Sequence, residues 1–133
     1  AGASVGANDV DNGFTTLLSA PYNLAGSPDA TVSYSRWYYN AGGGDTWRVQ
    51  ATTNGTTWTT VESTTTGSST WTPVSFRIGD FITPGASTRF RFVCEDINTG
   101  NIVEAAIDDF RITKRVCENP VCDADANGDG NVD

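Results

Sequence analysis

Asp125, Asn127 and Asp129 alternate through the last twelve residues, CDADANGDGNVD, and Gly130 follows them. Side-chain oxygens at positions 1, 3 and 5 with glycine at 6 open a twelve-residue calcium loop, and the residue at position 7, here Asn131, supplies a main-chain carbonyl. The bidentate acid required at position 12 would fall three residues beyond Asp133. The expectation is therefore weak calcium binding at best through Asp125, Asn127, Asp129 and Asn131. The plain alternative is a solvated acidic tail.

A second set of carboxylates lies in the last predicted strand. Ala106, Asp108, Phe110 and Ile112 share one parity, because successive strand residues face opposite sides. If Phe110 and Ile112 enter the core, Asp108 enters with them, and a carboxylate there must be paired, hydrogen-bonded or metal-bound. NDVDNG near the start offers Asp9 and Asp11. The reading is a calcium ion tying residues 9–13 to Asp108 or Asp109, against a turn cap or an ion pair of Asp108 with Arg36 or Arg111. Glu104 and Asp45 raise the same question, and an Arg36–Glu104 pair is the simpler expectation there.

A third chemistry is aromatic. In SYSRWYYN, Trp37 and Tyr39 share a face with Ser33 and Ser35, opposite Val32 and Tyr34. With Val32 in the core, the two rings stand on an outer sheet face, where sugar C–H faces stack and donors such as Arg48 and Gln50 take hydroxyls. The alternative is that the rings pack under a loop. Trp47 and Trp58 are assigned to the core or to a hairpin.

Catalysis fits poorly. The chain has no histidine, which removes Ser-His-Asp, Cys-His and histidine-based zinc chemistry. Asp108 and Asp109 are adjacent and face apart. Glu104 and Asp108 share a face about 13 Å apart at the backbone, too far for a glycosidase pair. CENPVC lacks the second pair a zinc site needs. Cys94, Cys117 and Cys122 allow one disulfide, and the spacing does not choose it.

These groups must be positioned by strands. Strand-like runs span 14–20, 30–40, 45–53, 56–63, 71–81, 87–96 and 101–115, separated by Gly, Pro, Asn and Ser turns, with no helical period. Asn54-Gly55 predicts a tight hairpin turn. The 133 residues suit one domain with a core. Net charge is −8: residues 1–116 hold eleven acids against eight bases, and 117–133 hold five acids and no base. That distribution gives no footprint for nucleic acid or anionic lipid, and no run is long enough to span a membrane.

RFRFVCEDINTGNIVEAAIDDFRI (89–112), with SRWYYN, Asp45-x-Trp47-x-Val49 and an Asn-Gly turn before Trp58, resembles MAM-type jelly rolls. It is closer still to the jelly-roll modules of secreted bacterial peptidases and glycoside hydrolases. In MAM-like domains the residue matching Asp108 helps hold a structural cation. The tail resembles the first repeat of a dockerin, without its last acid, its helix and its second repeat. The resemblance implies a fragment of a larger secreted hydrolase. The expected architecture is an all-β, two-sheet antiparallel β-sandwich of jelly-roll type over residues 1–116, with 117–133 as linker and incomplete calcium loop. The expected function is a non-catalytic accessory module binding a polysaccharide or extracellular matrix ligand, with structural calcium. The alternative is a spacer, folding or protein-docking domain of a secreted peptidase.

Overall fold

The computed structural model describes residues 9–10, 12–97 and 101–115. Seven strands form there: β1 (Gly13–Leu18), β2 (Thr31–Asn40), β3 (Trp47–Thr52), β4 (Thr59–Thr64), β5 (Ser68–Arg77), β6 (Arg89–Asp96) and β7 (Val103–Thr113). Among the described residues the single non-strand element is a 3-10 turn at Ile78–Asp80. Among the described residues no helix is long and apolar enough to cross a membrane.

All pairings are antiparallel, in a four-stranded sheet ordered β1-β6-β3-β4 and a three-stranded sheet ordered β5-β2-β7. This is the expected two-sheet β-sandwich. Its core follows from alternation. Val32, Tyr34 and Tyr38 of β2 face Trp47, Val49 and Ala51 of β3 and Phe90, Phe92 and Cys94 of β6, all buried. Phe110 packs its ring edge to face against Phe90 and Phe92, with centroids 5.8 and 5.7 Å away.

Some strand boundaries shift. The run expected at 71–81 begins earlier, at Ser68, and breaks at Ile78, where Gly79 N donates to Pro28 O. The Asn54-Gly55 turn is not a two-residue hairpin. β3 ends at Thr52 and β4 begins at Thr59, and Asn54 Oδ1 organises the loop by accepting from the amides of Thr56 and Thr57. Polar side chains that bond their own backbone favour such a wider loop.

The largest correction concerns Asp108. Between the β2 positions Ser33 and Ser35, β7 advances from Arg111 to Asp108, three residues against two. The extra residue is a bulge at Asp109, whose φ is 56°. Val103, Ala105 and Ile107 face the core before it, and Phe110 and Ile112 after it. Asp108 is therefore exposed, with Oδ1 accepting from the Asp109 amide.

Candidate functional site

β2 carries the aromatic candidates, and a polar clasp fixes it to the opposite sheet. Arg36 points inward, and its partner is Glu62 of β4 rather than Glu104. Arg36 pairs across β2–β7 with Ile107, while Glu104 lies three residues further, on the other parity. Glu62 also accepts from Tyr34 Oη and from Trp47 Nε1, the latter at 3.0 Å. One carboxylate thus joins β2 of the small sheet to β3 and β4 of the large one. Burial, and then Glu62, raise the Tyr34 hydroxyl far above the usual tyrosine range.

With Tyr34, Arg36 and Tyr38 inward, Trp37 and Tyr39 take the outer face of the three-stranded sheet. Their centroids are 6.2 Å apart and their planes differ by 20°. Both rings are half-buried. No hydrogen bond within the described residues engages Trp37 Nε1 or Tyr39 Oη. Trp71, 50% exposed, lies in the β5 stretch facing Trp37, between the pairs Arg36–Thr72 and Tyr38–Ser68. The sequence reading passed over Trp71; its parity relative to Val74 and Phe76 was the available signal.

Arg48 and Gln50 do not join this platform. They alternate with Trp47, Val49 and Ala51, so they stand on the outer face of the four-stranded sheet, across the sandwich from Trp37 and Tyr39. There they line a groove of about 180 Å³ with Phe14, Thr16, Arg91, Val93 and Glu95. Its polar groups largely satisfy one another. Arg48 pairs with Glu95. Arg91 Nε donates to Gln50 Oε1 at 2.7 Å, Gln50 Nε2 donates to Thr60 Oγ1 at 3.1 Å, and the Arg91 guanidinium lies 4.3 Å from the Trp58 ring centroid. Trp58 is thus a hairpin residue on the outer face, whereas Trp47 is core.

The metal candidates separate. Asp109 pairs with Arg111 at 2.6 Å on the exposed bulge. Asp9 sits at the far end of β7, where its Oδ1 accepts from Val103 N at 2.7 Å. Asp9 and the Asp108–Asp109 pair therefore do not meet, since five strand residues at about 3.3 Å each divide Val103 from Asp108. Asp11, and the tail set Asp125, Asn127, Asp129 and Asn131, lie outside the described residues, as do Cys117 and Cys122. Among the described residues no three His, Cys, Asp or Glu side chains gather as a metal cluster.

Acids do collect at the Asp9 end of the sandwich. Asp45 is fully buried, with Oδ1 accepting from Ile97 N and Oδ2 from Asn101 Nδ2. Asp96 and Glu104 are 4% and 6% exposed. Cys94 is a buried free thiol there, pushed up to about 12 by burial first and then by Asp45, Asp96 and Asp9. No protein-family model and no curated protein matches the chain.

Proposed function

We propose that the chain is a non-catalytic extracellular accessory domain, part of a secreted hydrolase, that binds a polysaccharide on the outer face of its three-stranded sheet. The observation that carries this reading is the Trp37–Tyr39 pair, two half-buried rings on the outer face of one strand whose planes lie within 20° of parallel. A pyranose chain presents flat C–H faces at a repeat that adjacent rings can take, and stacking of this kind discriminates shape without charge. The indole N–H and the phenol O–H supply hydrogen bonds to sugar hydroxyls. The opposite groove supports the reading less well, because a sugar there must first displace bonds its side chains already make.

The test is affinity electrophoresis and pull-down against insoluble cellulose, chitin and xylan and their soluble derivatives. Trp37→Ala and Tyr39→Ala are compared with the native chain. Retention by at least one polysaccharide, lost in Trp37→Ala with the fold intact by circular dichroism, is the expected result. A folded native chain that no polysaccharide retains would overturn it.

A second reading, a protein-docking domain, has its own support. β1 is a sheet edge on which Phe14, Leu17 and Leu18 are 72%, 55% and 48% exposed. Exposed apolar edge strands are docking sites for another chain. Failure of glycan binding, together with capture of a partner lost in Leu17→Lys, would favour that reading.

A further inference from the structure

The acidic end of the sandwich contains an electrostatic debt that its neighbours do not settle. Asp96 follows Phe90, Phe92 and Cys94 on the inward face of β6 and is 4% exposed. Its Oδ2 takes a long 3.4 Å contact from the Asn12 amide, and its Oδ1 has no hydrogen-bond partner. A buried carboxylate oxygen without a donor is unfavourable, because the water it gave up is not replaced. Native proteins leave few such groups without a water or an ion. The ion pairs among the described residues are Arg36–Glu62, Arg48–Glu95 and Arg111–Asp109, so none of them neutralises Asp96.

The chain around residues 9–13 brings a second carboxylate to the same end. Val10 N bonds Val103 O and Asp9 Oδ1 accepts from Val103 N, which anchors this stretch on β7 of the small sheet. Three residues after Asp9, Asn12 contacts Asp96, and Gly13 pairs with Asp96 across β1 and β6 of the large sheet. The stretch therefore straps one sheet to the other across the sandwich end. Its path depends on backbone turned to positive φ, 53° at Asn12 and 150° at Gly13. A carboxylate stands at each anchor, with Asp9 Oδ2 left unused by Val103. Asp45 adds a buried negative charge while its own oxygens are held by Ile97 and Asn101.

We propose that this end binds one calcium ion, with Asp96 Oδ1 and the Asp9 carboxylate as its charged ligands. Main-chain carbonyls and water complete the six to eight oxygens calcium takes. The all-oxygen, histidine-free donor set selects a hard cation. Two carboxylates on separate sheets suit flexible calcium geometry better than the near-ideal octahedron of magnesium. The ion neutralises Asp96 and fastens the strap, and the role is independent of any glycan. It differs from the ligand set expected from sequence, in that Asp96 takes the place of Asp108 and Asp109.

The experiment is thermal unfolding and isothermal titration with calcium alone, on the full chain, in excess calcium and in EDTA. The native chain should melt about 5 °C or more higher with calcium than with EDTA, as expected for a ligand that binds only the folded state. Asp96→Asn should abolish that difference and should melt higher than the native chain in EDTA, because it removes the uncompensated charge. Asp108→Asn and Asp129→Asn should keep the full response. The proposal is overturned if the native chain melts alike in both conditions, if Asp96→Asn keeps the response, or if Asp129→Asn removes it. Should Asp96→Asn fail to fold, Asp9→Asn decides: loss of the response supports the site, and retention overturns it.

Discussion

The two outer faces of this sandwich arise from the same strand alternation, but on one of them the polar side chains are largely matched to each other. On the four-stranded sheet, Arg48 is spent on Glu95, and Arg91 on Gln50 and the face of Trp58. On the three-stranded sheet, Trp37 and Tyr39 stack side by side, and their polar atoms engage no described residue. A groove with a measurable volume is thus the poorer binding candidate, and the pair of outward aromatic rings the better one. Concavity alone does not identify a site when its donors and acceptors are already matched to each other.

Both faces ride on one frame, and Glu62 is where that frame is most easily broken. Its side chain is 16% exposed and takes Arg36, Tyr34 and Trp47 from both sheets. Glu62→Ala leaves Arg36 charged and nearly buried, and should cost about 3–5 kcal/mol. Urea unfolding measures it. Glu62→Gln keeps an acceptor and should lose less. Where either variant remains folded, polysaccharide retention should be unchanged, because Glu62 lies under the platform and not on it.

The next effect is smaller and tests the platform directly. Trp37→Ala should weaken polysaccharide binding at least tenfold, about 1.4 kcal/mol or more, by titration on a soluble polymer. Tyr39→Phe, which keeps the ring and removes the hydroxyl, should fall between Trp37→Ala and the native chain. Equal losses from Tyr39→Phe and Trp37→Ala would shift the contact from stacking to hydrogen bonding.

Much of the sandwich was legible, because alternation in Trp47-x-Val49-x-Ala51 and Phe90-x-Phe92-x-Cys94 states directly which side is core. What sequence could not give is which strands share a sheet. β2 pairs with β5 and β7, not with β3, its successor in the chain. That fact alone separates Trp37 and Tyr39 from Arg48 and Gln50. It also gives Arg36 a partner from β4 across the core rather than from its own sheet. The Asp109 bulge was hidden for a different reason. Asp-Asp carries no glycine to announce a positive φ, and a single extra residue inverts the parity of everything on one side of it. The aromatic half of the candidate site was readable from spacing, then, and its donors were not.

Alkali provides a milder perturbation, and its effect on the buried end is read through Cys94. Cys94 is raised from 9.0 to about 12 by burial and then by Asp45, Asp96 and Asp9. A thiol whose folded pKa exceeds its unfolded value contributes stability fully below the unfolded pKa. That contribution falls as pH climbs through the folded one, because the unfolded chain ionises first. The unfolding midpoint in urea should therefore decline between about pH 9 and 12, and Cys94→Ala should flatten that decline while lowering stability at pH 7. A slope unchanged in Cys94→Ala would assign the decline to other groups, Tyr38 among them, whose hydroxyl is also raised to about 12, chiefly by burial.

The smallest effect is expected in the groove, and its smallness is the point. Arg48 Nε is buried without a partner, while the Arg48 side chain as a whole is 37% exposed and pairs with Glu95. Arg48→Met keeps the stem, removes the unpartnered N–H and breaks a partly exposed ion pair. The first change is favourable. The second leaves the Glu95 carboxylate, 17% exposed, without its partner, at a cost of about 1–3 kcal/mol that is smaller in high salt. The two oppose each other, leaving stability within about 1 kcal/mol of the native chain by urea unfolding. Polysaccharide affinity should stay within twofold, since no face containing Trp37 is touched. If Arg48→Met instead lost binding tenfold while Trp37→Ala kept it, the faces would exchange roles. The matched groove would then be a site whose internal bonds hold its donors in position for a sugar, and the outward aromatic rings a hydrophobic surface of some other use.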